Sequence, residues 1–151
     1  MKKIVDEIFK QITNLGGLVF YLFIVLLVFG LGYIKESIIL FLGLVISYIV
    51  IILIRSLYFV DRPKKQDHKN FLEKIDASSF PSHHAIRITL LMLGLIKIIT
   101  NVYVNLLLIL TIIIVSYSRI YLKKHRYIDV IAGIIVGIII YYSLEFIIQS
   151  I

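Results

Sequence analysis

Apolar residues run through this chain in long unbroken blocks, and the polar residues are gathered into a few short breaks between them. Residues 17–34, 37–59, 85–99, 102–117 and 127–148 are almost continuously aliphatic or aromatic. At about 1.5 Å per residue the longer blocks can cross the ~30 Å hydrocarbon core of a bilayer. The third is short for a crossing and carries Arg87 and Lys97 near its ends. Backbone amides in lipid have no water to bond, so each block must be helical. The pattern predicts an all-α fold: a polytopic transmembrane helix bundle of about five spans. Only Lys35-Glu36 separates the first two spans, and Thr100-Asn101 the third and fourth, so each pair is antiparallel.

Two segments break the spanning pattern. Residues 1–15 place Ile4, Val5, Ile8, Phe9 and Ile12 at helical spacing among Lys2, Lys3, Asp6, Glu7 and Lys10. This predicts an amphipathic helix lying in the membrane interface, too polar to cross. A cleaved signal peptide also begins with basic residues before an apolar run, but the run here is long and no small-residue cleavage site follows it. Residues 61–82 contain both prolines and mixed charges. They are predicted to form a loop outside the lipid.

Composition removes the soluble alternative. Of 151 residues 60% are hydrophobic, and the mean hydropathy is +1.01. A soluble domain would have too little polar side chain to cover that core. No cysteine is present, which excludes disulfides and thiolate chemistry. One domain, 1–151, without linker or repeat, accounts for the length.

The pairing of spans brings Arg55, Arg62, Ser82, His84, Arg119, His125 and Asp129 to one membrane face. Arginines, histidines, a serine and one carboxylate describe a site for a multiply charged oxyanion, because a guanidinium binds phosphate oxygens in pairs and stays charged. Ser82, His83 and His84 open a predicted helix, whose free amides and dipole favour an anion. If the chain is helical from Lys124 onward, His125 and Asp129 share a face, and the carboxylate accepts the Nδ1 proton while Nε2 stays free to attack. The second histidine can then protonate a leaving oxygen. No acidic cluster suited to Mg²⁺ accompanies them, so the expected chemistry is metal-independent phosphoryl transfer without a cofactor.

The same residues carry a resemblance. Arg55, six residues, then Arg62-Pro63; Pro81-Ser82-His83-His84; and Ser118-Arg119, five residues, His125, three residues, Asp129 resemble the three signature motifs of the type 2 phosphatidic acid phosphatase family. All three motifs lie within residues 55–129. The resemblance implies that His125 becomes a phosphohistidine, that Asp129 orients it, and that His84 protonates the leaving group. It implies phosphate binding by Arg55, Arg62, Ser82, Arg119 and the amide of His83. Two positions depart from the family pattern: Arg55 replaces a usual lysine, keeping the charge, and His83 replaces a usual glycine, adding a titratable ring.

Other charges read as ordinary membrane features. Lys64, Lys65, Lys69, Lys74, Lys123, Lys124 and Arg126 are expected to be solvated or to face headgroups, and Asp61 and Asp76 to cap or pair within the loop. Gly133 and Gly137 make a small-xxx-small step for helix packing within the protein. Tyr141, Tyr142, Glu145 and Gln149 belong to the opposite interface.

The leading expectation is an integral membrane phosphatase of a lipid phosphate or pyrophosphate, a polyprenyl pyrophosphate preferred because little soluble structure remains to recognise an elaborate headgroup. Phosphatidic acid and phosphatidylglycerophosphate are the alternatives. Soluble haloperoxidases share the family's anion pocket, but the spans argue against that use. A non-catalytic lipid-binding or anion-binding protein would show a gap in the catalytic set, and none is found. Expected partners are the bilayer and the lipid substrate, not nucleic acid. The excess of lysine on the site face points to the cytoplasmic side of the cell membrane. The resemblance to bacterial enzymes that recycle polyprenyl carriers points outward.

Overall fold

A computed structural model describes residues 2–64, 66–67 and 69–150; Lys65, assigned above to the headgroup region, lies outside the described residues. Among them the chain forms helices α1 (Lys2–Asn14), α2 (Leu18–Gly30), α3 (Ile34–Leu57), α4 (Phe71–Ala77), α5 (His83–Ile98), α6 (Val102–Tyr121) and α7 (Tyr127–Gln149). The fold is an all-α membrane bundle.

The count of five spans is approximate. Helices α3, α6 and α7 are long and apolar enough to cross a membrane, and α1 with α2 makes a fourth crossing if the pair, bent by 44°, counts as one. Helix α2 has 13 residues and α5 has 16. Those lengths give roughly 20 and 24 Å, short of the hydrocarbon thickness. Helix α5 tolerates this because it is enclosed by protein: it packs against α3, α6 and α7, and Ala85, Ile86, Ile88, Leu90 and Leu91 are fully buried.

Two boundaries move from their expected places. The turn between α2 and α3 falls at Gly32, whose φ of +89° suits a residue without Cβ. Lys35 and Glu36 therefore sit in the first turn of α3 and do not form the link. Helix α6 continues four residues past 117, which takes Ser118 and Arg119 into its last turns.

The outward faces carry Val19, Phe23, Leu26, Leu106, Leu107, Ile139 and Phe146, all more than half exposed. An apolar surface of that extent is the lipid contact of an integral membrane protein. Helix α1 presents Ile4 and Ile8 outward and lays its other side on α6. There Phe9 stacks on Tyr121 with ring centroids 4.2 Å apart, and the Tyr121 hydroxyl donates to Asp6 at 2.7 Å. At the end of the bundle remote from His125, Lys97 pairs with Glu145 at 2.6 Å.

Gly133 and Gly137 let α7 touch α5. A Cβ at Gly133 would stand 2.6 Å from the Ser82 carbonyl oxygen and 2.9 Å from Ala85 Cβ, and one at Gly137 would stand 2.9 Å from Thr89 Cβ. Both neighbours are backbone or short side chains that cannot swing aside. Gly133→Ala is therefore expected to cost about 1–3 kcal/mol, the usual penalty of overpacking. Because the clash falls on the residue that starts α5, activity should drop with stability. Thermal unfolding in detergent, read beside phosphate release, checks this; an unchanged midpoint would contradict the close packing.

Candidate active site

The loop between α3 and α5 is held in place by its own backbone. Asp61 and Ser78 form an isolated antiparallel bridge, the Ser79 amide donates to Val60 O at 2.8 Å, and the Val60 amide donates to Ser78 Oγ at 3.2 Å. Asn70 caps α4 by accepting from the Glu73 amide at 2.9 Å. Arg55, at the end of α3, reaches across to this loop: Nη1 donates to Ile75 O and Nη2 to Pro81 O, each at 2.9 Å. Arg62 donates to the Asp76 carbonyl and lies 3.9 Å from the Asp76 carboxylate. The Lys64 amide donates to Lys123 O at 3.2 Å, tying the loop to the turn after α6.

That turn carries His125. Lys123 adopts φ +54°, and the amides of Lys124 and His125 both donate back to Arg119 O, at 3.0 and 3.2 Å. Helix α7 begins only at Tyr127, so His125 precedes the helix and the assumed continuous turn from Lys124 does not form. The consequence is a change of partner. His125 Nδ1 donates to Ser79 O at 2.8 Å, while the nearer Asp129 oxygen is 3.9 Å away. Asp129 Oδ2 instead accepts from the Arg126 amide at 2.7 Å, closing a capping box on α7. The outcome for His125 is the same tautomer that was expected, with the proton on Nδ1 and Nε2 bare, but a backbone carbonyl sets it. Burial, reinforced by the cations of Arg119, Arg62 and Arg55, pushes the His125 imidazole far below its ordinary pKa, against a smaller opposing effect of the Ser79 carbonyl. It is therefore neutral at physiological pH.

A cavity of about 310 Å³ brings together Arg55, Arg62, His83, His84, Arg119 and His125. Ser82 and Asp129 are not in its lining and are wholly buried. The Ser82 amide donates to Asp129 O at 2.9 Å, which ties the start of α5 to α7 behind the cavity wall. Ser82 caps α5 without a side-chain bond, so the first-turn amides of His83 and His84 have no intrahelical acceptor. Nε of Arg55, Arg62 and Arg119 and Oγ of Ser82 are buried without a hydrogen-bond partner among the described residues. Buried donors of this kind call for an acceptor, and a tetrahedral oxyanion has the charge and the lone pairs to serve them.

The structure adds residues that were not singled out. Tyr48, Gln66, Asp76, Arg87 and Lys124 also line the cavity, and Arg119 Nη1 donates to Thr13 Oγ1 at 2.9 Å, bringing the α1 end to the site. Arg87 had a readable signal, since it lies one turn after His84 on an otherwise apolar helix. Thr13, more than a hundred residues from Arg119, had none. Burial and the Arg119 and Arg62 cations hold the Lys124 ammonium below its ordinary pKa, which reflects how densely positive this end of the bundle is.

A search of curated protein sequences finds no match. Among solved structures the chain is similar to the PAP2-type phosphatidylglycerolphosphate phosphatase of Bacillus subtilis, with a TM-score of 0.76 and 19% identity over 97% of this chain and 78% of that one. It is also similar to LpxE of Aquifex aeolicus, with a TM-score of 0.78 and 20% identity over 94% of this chain and 86% of that one. At such identities the likeness speaks for the fold. The family model of the PAP2 superfamily matches residues 36–148, a stretch that contains the whole arginine and histidine cavity, and the chain accordingly belongs to the PAP2 superfamily, a family of membrane lipid phosphatases.

Proposed function

We propose that this protein hydrolyses a lipid pyrophosphate, a polyprenyl pyrophosphate in first place, through a phosphohistidine on His125 and without a metal. The observation that carries the reaction is the convergence of Arg55, Arg62 and Arg119 with His84 and His125 on one cavity. In the first step Nε2 of His125 attacks the terminal phosphorus, the bond to the bridging oxygen breaks, and His84 gives that oxygen its proton. In the second step His84 takes a proton from water, which attacks the phosphohistidine and releases inorganic phosphate. The arginines hold the equatorial oxygens as charge shifts between the entering and leaving groups. Asp129 stabilises the charge that develops on His125 from 3.9 Å. Ser82 and the His83 amide complete the anion site from the start of α5.

The preference for a diphosphate is supported by a second cavity of about 480 Å³, which shares Arg62, Arg119 and Lys124 with the first and adds Lys10, Lys64 and Lys123. Six cations are more than one phosphate needs. A leaving lipid monophosphate beside the reacting phosphorus would use the remainder.

The test is phosphate release in detergent with EDTA from polyprenyl pyrophosphate, phosphatidic acid and phosphatidylglycerophosphate. The expected result is EDTA-resistant release, with kcat/KM at least tenfold higher for the pyrophosphate. Preference for either monophosphate would overturn the substrate assignment and leave the chemistry. No release from any of them by folded protein would favour a lipid-binding role.

A further inference from the structure

Arg87 is the buried charge that phosphate binding leaves unexplained. Its three donor positions point to three parts of the fold: Nε donates to Gly16 O at 3.0 Å, Nη1 to the Tyr48 hydroxyl at 3.4 Å, and Nη2 faces His84 Nδ1 at 3.4 Å. A guanidinium is planar and can only donate. With two edges committed to the α1–α2 joint and to α3, the direction of the third is set by the fold and not by His84.

We propose that Arg87 is a positioning residue that holds His84 in the tautomer carrying its proton on Nε2, and so makes His84, rather than His83, the general acid of the site. This inference rests on the histidine reading of the reaction given above. A nitrogen facing a guanidinium N–H must present its lone pair, so Nδ1 of His84 is bare and the ring proton goes to Nε2.

The neighbouring histidine is fixed by the opposite nitrogen. Ser47 Oγ donates to Leu44 O at 2.7 Å, so at its 3.1 Å contact with His83 Nε2 it accepts. His83 therefore spends its Nε2 proton on α3, with its ring edge-on to Tyr48 at 4.4 Å. Two adjacent histidines thus end in different roles: one is bonded into the wall, and the other keeps a donor for the cavity.

The joint that orients Arg87 lies directly on His84. A Cβ at Gly16 would come within 3.2 Å of the His84 carbonyl oxygen and 3.3 Å of His84 Cβ. The bend between α1 and α2 is close enough to His84 for its carbonyl to aim the arginine.

The test separates acid catalysis from other losses by the leaving group. An alkyl phosphate needs a proton on its departing oxygen, whereas 4-nitrophenyl phosphate departs as a stable anion. Arg87→Met keeps much of the stem and removes every donor. It is expected to lower kcat for a monoalkyl phosphate by about a hundredfold, at the low end for loss of general acid catalysis, and for 4-nitrophenyl phosphate by less than tenfold. Inhibition by inorganic phosphate should stay within about threefold, as expected for a residue that is not a phosphate ligand. Equal losses on both esters would make Arg87 a structural strut, and a weakened phosphate inhibition would make it a ligand; either overturns the proposal.

His84→Ala is the reference. If it loses both esters equally, the histidine reading of the reaction is what fails. If it shows the split and Arg87→Met does not, the inference about Arg87 fails alone. Should the methionine variant not be recovered folded, Arg87→Lys is expected to give the same split at smaller size. The ¹⁵N shifts of the His84 ring in the parent give a reading free of turnover: protonation at Nδ1 would refute the assignment.

Discussion

His125→Asn is expected to lower phosphate release by ~10⁴-fold or more, because the variant removes the only group placed to form the covalent intermediate. Asparagine is the appropriate replacement. Its side-chain amide can still donate toward Ser79 O, the partner His125 holds at 2.8 Å, so the loop has a reason to keep its place while the nucleophile is lost. The neighbouring groups cannot take over. His84 is engaged with Arg87 through Nδ1, and His83 with Ser47 through Nε2. The measurement is release in EDTA together with recovery of acid-labile phosphate on the protein after a brief exposure to labelled substrate. Parent protein should carry the label and His125→Asn none. A variant with parental turnover and the same unfolding midpoint would remove the phosphohistidine from the mechanism.

Arg55→Ala is expected to cost about 3–5 kcal/mol of stability, since each charge-assisted hydrogen bond to a buried carbonyl contributes roughly 1.5–3 kcal/mol. Its guanidinium bonds Ile75 O and Pro81 O at 2.9 Å each, on either side of the segment that carries Ser78 and Ser79. That segment supplies the carbonyl that holds His125. Loss of Arg55 therefore reaches the nucleophile through the loop as well as through the charge missing from the cavity. Against a total stability of about 5–15 kcal/mol this is a large fraction.

Arg55→Lys, which restores the residue usual in the resembling family, keeps the charge but replaces a planar fork by a single ammonium. It should hold one carbonyl at a time and lose about 1–2 kcal/mol, with activity reduced and not abolished. Thermal unfolding in detergent and kcat/KM across the three proteins check the order. An alanine variant as stable as the parent would mean that the loop does not depend on this arginine.

The helical fold was legible in the sequence because lipid leaves the backbone few options. Blocks such as 37–59 and 127–148 appear as α3 and α7 within a few residues of their expected limits. The gathering of Arg55, Arg62, His84, Arg119 and His125 was legible for a related reason: spans that cross in pairs return the chain to the face it left. Less visible was which elements would be short. Helix α5 reads as a weak span in the sequence, and only its enclosure by α3, α6 and α7 explains why a helix of 16 residues suffices there.

The chain order and residue types decided that this is a membrane helix bundle and that its arginines and histidines share one end, since both follow from hydropathy and the parity of crossings. Tertiary structure alone decided the hydrogen-bond partners. The onset of α7 at Tyr127, two residues later than His125, turns Asp129 toward the Arg126 amide and gives the His125 proton to Ser79 O. The approach of the α1–α2 joint puts Gly16 O against Arg87 across more than seventy residues of chain. Such contacts depend on where a helix starts and how closely two backbones pass. Those quantities are set by packing among all the elements at once, and no local run of residues encodes them.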